Sequence, residues 1–272
     1  MSTRGFLSQP RRPRYPKGAS GGAFDITTLT SYVAAYSFKL ADGKLIKDLG
    51  SSGATANGDA IAKVKEWSSN GRDLVNTNGT DKPLVATNGL QFDGIDDYLS
   101  SLGFNGGSAL SELTIGIRFS IDSAPAVQAN GSRVWSWNGG GFDYTSLGGL
   151  STIQYPDNQS QFSYFTIYDA SGAFTANLMT DPSNVQSAYS TFHTIIFIYS
   201  TTNGGWYVDG QGKRAYNLGS CSKTLTNLTL AAYTNNTTLS GGFAPITVTR
   251  MYVQATAATG TEAANGKTWL EA

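Results

Sequence analysis

Three aspartates within five positions, Asp93, Asp96 and Asp97, form the densest carboxylate cluster in the chain. A calcium ion takes several oxygen ligands from one turn, so these three are the candidate metal ligands. Their setting favours a plainer role. Asp93-Gly94 has turn chemistry, and neighbouring aspartates then accept from backbone amides. No D-x-D-x-D-G-x5-E loop is present, and the expectation is no bound metal and no cofactor. Glycoside hydrolysis needs two carboxyl groups flanking the scissile bond. The four glutamates, Glu66, Glu112, Glu262 and Glu271, are far apart in sequence. The expectation is therefore a protein that is not an enzyme. The single histidine, His193, sits in an apolar strand segment and reads as a packing residue. The single cysteine, Cys221, has only Lys223 beside it, not the cationic pocket that activates a thiolate. One Cys and one His exclude an intramolecular disulfide and a zinc site built on those residues.

Aromatic residues supply the other candidate chemistry. Trp135, Trp137, Phe142 and Tyr144 surround the Gly139-Gly140-Gly141 run. Exposed rings stack on sugars while amides and carboxylates bind hydroxyls, so these four are candidate glycan-binding residues. Trp135 and Trp137 are two apart and share one sheet face, which also suits a core position.

These residues must be positioned by strands. Of 272 residues, 40% are hydrophobic, 14% charged and 12% aromatic, with 32 glycines. Charged residues fall well below the usual share of about 25%. Such a chain is neither a long-helix protein nor a disordered acidic one. Many Thr, Ser, Asn, Gly and Tyr residues mark an all-β protein rich in turns. Strands are predicted over residues 32–38, 61–67, 84–85, 90–92, 98–99, 113–121, 134–137, 162–168, 191–199, 206–208, 225–233 and 246–253. The clearest is 113–121, where apolar and small or polar residues alternate. A short helix is predicted over 261–270, with Thr261 as its cap. Many strands without a βαβ rhythm argue for two packed antiparallel sheets.

The charge is unevenly placed. Net charge is zero, with 19 basic and 19 acidic residues. Residues 1–17 contain Arg4, Arg11, Arg12, Arg14 and Lys17 and no acid, so they carry +5. The remaining 14 basic and 19 acidic residues leave the body at −5. Pro10, Pro13 and Pro16 favour an extended backbone there, and Gly18, Gly21 and Gly22 form a joint. Residues 1–24 thus read as a basic arm and 25–272 as one domain. Arg4, Phe6, Leu7, Arg11, Arg12, Arg14, Tyr15 and Lys17 are the candidate anchoring residues. Prolines lower the cost of ordering, and guanidinium forks grip carboxylates or carbonyls. Five charges without a nucleic-acid-binding fold imply no specific nucleic-acid partner. No apolar run is long enough to cross a membrane as a helix, and no apolar segment follows the first basic residues as in a signal peptide.

Two segments go beyond composition. One is Trp67-Ser68-Ser69-Asn70-Gly71-Arg72-Asp73, followed by Phe92-Asp93-Gly94-Ile95-Asp96-Asp97-Tyr98. The other is Phe192-His193-Thr194-Ile195, followed by Tyr207-Val208-Asp209-Gly210. In this order they resemble the concanavalin A-like, laminin G-like jelly rolls, and in particular such domains in virion proteins of tailed bacteriophages. Phe192 stands where that superfamily often has Trp. The resemblance implies a two-sheet antiparallel jelly-roll sandwich over roughly residues 30–270. It also implies a virion protein on the particle surface, as head decoration, head fibre or tail accessory. Residues 1–24 would hold a major capsid or tail protein, cell-surface glycans would be further partners, and a dimer or trimer would follow local particle symmetry. Hydrolases of the superfamily carry an E-x-D-x-x-E pattern, which this chain lacks. The alternatives are a stand-alone carbohydrate-binding lectin and, behind it, a glycoside hydrolase.

Overall fold

The alternation in Leu113–Ile121 sets the architecture. Ile115, Ile117 and Phe119 enter the main core, and the residues between them face the other way. In the computed structural model this strand lies inside a large antiparallel sheet. Its order is Arg214–Ala215, Gly205–Val208, His193–Tyr199, Leu113–Ile121, Pro245–Gln254, Gly89–Asp93, Leu84–Ala86. The long Pro245–Gln254 strand has two partners on its far edge. Residues 245–248 pair with Gly89–Asp93, and residues 250–254 pair with Tyr32–Ser37. The second sheet runs Trp135–Asn138, Asn227–Leu230, Leu99–Leu102, Leu74–Val75, Lys63–Val64, Leu45–Ile46. Leu74, Leu99, Trp135 and Leu228 from this sheet meet Ile117, Phe197, Met251 and Val253 from the first. The protein is thus the all-β, two-sheet antiparallel sandwich its sequence predicts.

The structure describes residues 24–272 except 51, 69, 77, 103–108, 111, 124–131, 139–151, 154–165, 169–173, 178–189, 201, 211, 216–222, 225–226, 236–237 and 242. The arm residues Arg4, Phe6, Leu7, Arg11, Arg12, Arg14, Tyr15 and Lys17 lie outside the described residues, as do Phe142, Tyr144 and Cys221. Among the described residues no helix is long and apolar enough to cross a membrane.

Several elements differ from expectation for local reasons. The helix spans Gly260–Glu271, and its cap is Thr259 rather than Thr261. Thr259 Oγ1 accepts from Glu262 N at 3.2 Å, and Glu262 Oε2 accepts from Thr259 N at 2.9 Å. That reciprocal pair needs a carboxylate three residues on, where Thr261 has only Ala264. The predicted strand 61–67 shortens to Lys63–Val64 because Glu66 turns inward. Its side chain is buried and accepts from Tyr32 Oη, Ala35 N at 3.3 Å, Ser68 Oγ at 2.8 Å and Asn70 N at 2.9 Å. Burial alone would raise this carboxyl, but the donors, Tyr32 foremost, hold it below its usual value. Residues 225–233 divide into Asn227–Leu230 and Tyr233–Asn235, with Ala231 at φ 62° between them.

The helix packs on the outer face of the large sheet and makes a third layer. Ala263, Trp269 and Leu270 bury against Ala35, Ile196, Ile198 and Tyr252. Tyr252 fits there because two glycines stand against the Cε1–Cζ edge of its ring. A Cβ on Gly116 would come within 2.7 Å of Cδ1 and Cζ, and one on Gly266 within 2.6 Å of Cζ. Arg250 fixes the end of the helix. Its Nη1 donates to Trp269 O at 2.6 Å, its Nη2 donates to Asp42 Oδ2 at 3.1 Å, and its guanidinium carbon lies 4.9 Å from the Trp269 ring centroid. A cation at a helix C-terminus also favours the helix dipole.

Gly116→Ala should therefore cost about 1–3 kcal/mol in urea unfolding, the range for an overpacked core. The cost should fall when Tyr252→Leu removes the ring, giving a measurable coupling in a double-mutant cycle.

Candidate functional site

The helix stops short of the full outer sheet face, and a groove opens beyond its last turn. Its volume is about 620 Å³. Arg118 stands on its floor, on the solvent side of Leu113–Ile121, the only charged residue in that strand. Thr249 enters beside it, at the irregularity where the register between Pro245–Gln254 and Leu113–Ile121 shifts. Asn88 and Thr87 come from the turn between Leu84–Ala86 and Gly89–Asp93. Asn57 Nδ2 donates to Thr87 Oγ1 at 3.3 Å. The 3-10 turn Leu40–Asp42 and Lys39 before it form one wall, while Phe192 and Glu271 form another.

The groove wall is fixed by polar contacts. Arg118 Nη1 donates to Thr194 Oγ1 at 2.9 Å and lies 3.7 Å from Glu271 Oε1. Its guanidinium carbon is 5.6 Å from the Phe192 ring centroid, so ring and guanidinium make one rigid surface. Thr194 Oγ1 donates to Glu271 Oε1 at 3.1 Å, and Lys267 Nζ donates to Glu271 Oε2 at 2.5 Å. Below the groove the sheet face stays polar. Ser120, Gln91 and Thr247 all donate to Asp122, at 2.9, 3.1 and 2.6 Å. Sequence reasoning misses this site, although Arg118, the one charge on the non-core side of Leu113–Ile121, is a legible signal.

The three aspartates do come together, with ligand oxygens within 4.8 Å of one another. Most of their visible work is turn-making. Asp93 Oδ1 accepts from Ile95 N at 2.7 Å and Asp96 N at 3.3 Å, and Asp97 Oδ2 accepts from Asp93 N at 2.9 Å. Gly94 at φ 79° completes the turn, packed so tightly on Pro245 that a Cβ would lie 2.8 Å from its ring. Burial, with the charges of Asp93, Asp96 and Asp81, lifts the Asp97 carboxyl to about 6 against its hydrogen bond. Asp93, Asp96 and Asp97 remain the described residues that could hold a calcium ion.

His193 is buried in its strand and has a carboxylate partner. Its Nδ1 is 2.7 Å from Asp209 Oδ2, and Asp209 Oδ1 accepts from Thr194 N at 2.8 Å. Burial would raise the Asp209 carboxyl, but His193 and Thr194 lower it on balance. Asp209 at φ 50° and Gly210 at φ 77° form the tight turn that the Asp-Gly pair predicts. The pair thus pins the hairpin between His193–Tyr199 and Gly205–Val208. Of the aromatic candidates, Trp135 is 1% exposed and belongs to the core, so burial removes it from sugar stacking. Trp137 lies two positions on in the same strand, paired with Leu228.

No protein-family model matches this chain, and no curated protein sequence matches it. Solved structures do. A Trypanosoma rangeli sialidase in complex with 2,3-difluoro-KDN aligns at TM-score 0.55 and 14% identity, over 97% of this chain and 36% of the sialidase chain. The sialidase with sialic acid aligns at TM-score 0.53 and 14% identity, over 87% and 32%. The botulinum neurotoxin serotype G binding domain aligns at TM-score 0.53 and 9% identity, over 88% and 51%. The chain spans about a third of the sialidase and half of the toxin domain. At such identities the likeness is one of fold, and it supports a β-sandwich of the jelly-roll kind. The expectation of a non-enzymatic protein is corrected by these neighbours, because this sandwich occurs within sialidases.

The Asp97 carboxyl gives a pH signature. Its folded value of about 6 lies above the ordinary 3.8. Its contribution to stability is full below about pH 4 and is lost as pH rises through 6. Asp97→Asn should raise stability at about pH 8 by about 1 kcal/mol, reduced by solvent access to the site, and change it little at about pH 4. Thermal melts at the two pH values measure this.

Proposed function

We propose that this sandwich is a carbohydrate-binding module and that the groove beside Arg118 is its binding site. One observation carries the reading. A guanidinium, two amides and two threonines converge with an aromatic ring in a concave site of about 620 Å³. That volume suits a small ligand, and the mixture of one apolar face with fixed polar groups suits a sugar. Arg118 and Phe192 are held before any ligand arrives, so little ordering cost opposes binding. The likeness to a sialidase in complex with sialic acid and to a toxin binding domain supports the same reading.

A finer reading places the sandwich on a phage particle. Residues 1–24, with five of the basic groups, would bind a major capsid or tail protein, and the groove would face cell-surface glycans. Copies arranged as dimers or trimers would turn weak sugar contacts into avidity. The charge imbalance between arm and body and the resemblance to virion sandwiches support it. Removing residues 1–24 should abolish attachment to particles, seen by electron microscopy, and leave sugar binding unchanged.

The sialidase likeness favours a second reading, in which the bound glycoside is also cleaved. Glu271 is the carboxylate among the groove residues. In that reading a fluorogenic sialoside is turned over by the full chain, and Glu271→Gln lowers turnover while binding persists.

On a glycan array, Phe192→Ala and Asn88→Ala should each weaken the strongest signal by about tenfold, the effect of losing one central contact. Unchanged thermal melts would show that the loss is local. Undiminished binding by both variants would remove the groove as the site.

A further inference from the structure

We infer that the groove selects anionic sugars, with Lys39 as the group that meets the sugar's carboxylate or sulfate. This rests on the carbohydrate-binding reading and narrows it.

The charges around the groove do not balance. Glu271 is shared between Arg118 and Lys267. Asp42 is engaged by Arg250 at 3.1 Å and also accepts from Ser37 Oγ. Lys39 lines the groove, yet its ammonium has no ion pair and no side-chain hydrogen bond among the described residues. Four cations therefore face two carboxylates, and the unmatched one borders the open space. Other anions near the groove are spoken for. Asp122 accepts from Ser120, Gln91 and Thr247, and Asp59 pairs with Lys47 and caps Thr55 and Ala56.

The electrostatics of Lys39 agree with this geometry. Burial first, then the positive charge of Arg250, lowers its pKa; Asp42 raises it and Arg118 lowers it again. A half-buried lysine among like charges gains most from an incoming anion. Arg118 is a poorer first contact, because Thr194, Glu271 and Phe192 already hold its guanidinium. It contributes field, and its planar head can share an anionic oxygen once Lys39 has drawn the ligand in. Neutral sugars would gain the hydroxyl and amide contacts alone.

Chemically matched probes test the inference on the full chain. Sialyllactose is compared with lactose for the carboxylate, and sulfated galactose with galactose for the sulfate, by calorimetry or array. At least one anionic member should bind better than its neutral match by about fivefold, the scale of one partly screened ion pair. That advantage should shrink between about 50 mM and about 500 mM salt. Lys39→Met should erase it and Lys39→Arg should restore most of it. Lys213→Met, outside the groove, is the control for general positive charge and should leave it intact. If both anionic members bind no better than their matches, or if Lys39→Met keeps the advantage, the inference is overturned while the carbohydrate reading stands. If no sugar binds, both fail.

Discussion

A ten-residue strand with both faces to cover governs this molecule. Pro245–Gln254 lies in the middle of the large sheet, and its inward residues fill the space between the two sheets. Its outward residues need cover of their own. The terminal helix, twelve residues or about 18 Å long, supplies it over the second half of the strand. There Tyr252 lies between Gly116 and Gly266, and Arg250 receives the helix end through Trp269. Over the first half no helix is laid among the described residues, and polar side chains such as Ser120, Asp122 and Thr247 line that face. The groove is the boundary between these two solutions. Its chemistry follows from its place: Glu271 comes from the helix end, Arg118 and Thr249 from the sheet, Asn88 from the nearest turn.

The same layering explains why buried charge is tolerated. Glu66 satisfies four donors drawn from two chain segments. It joins the loop after Lys63–Val64 to the Tyr32–Ser37 strand. Trp67, the next residue, meets Trp269 edge to face at 5.8 Å. Carboxylate, strand and helix are thereby linked through one short segment. Its Trp and Gly, which carry the resemblance to jelly-roll sandwiches, serve structure here rather than ligand contact.

Much of this was legible in the sequence, and the limits were physical. Leu113–Ile121 is legible because its two faces differ in chemistry, Leu, Ile and Phe toward the main core and Thr, Gly, Arg and Ser on the other side, so period two survives although both faces are covered. His193–Tyr199 reads as an apolar run and Pro245–Gln254 as a strand that mixes threonine, arginine and apolar residues; covered on both faces, neither reveals which residues face the helix. Lys63–Val64 is shorter than its sequence pattern predicts because the alternation continues past the point where Glu66 turns inward. The cap is Thr259 and not Thr261 because a hydroxyl alone does not mark a cap and Glu262 supplies the reciprocal carboxylate only to Thr259. The groove escaped because its residues are spread from Lys39 to Glu271, and no spacing in one dimension reports a surface assembled from seven segments. Trp135, an aromatic near glycines in sequence, is buried in the core, whereas the ring that reaches the groove is Phe192.

The shared edge of the Pro245–Gln254 strand has a dynamic corollary. Gly89–Asp93 and Tyr32–Ser37 meet it end to end, not side by side, and the seam falls at Thr249, whose carbonyl accepts from Phe38 N at 2.9 Å. Each neighbour has its own ladder with the shared strand, so breaking the hydrogen bonds of one leaves those of the other in place. Peeling back the earlier strand would release Lys39 and the 3-10 turn behind it, remodelling one bank of the groove while the opposite bank stays locked. Amide exchange would register this as two protection classes along a single strand, with the break at the floor of the cleft.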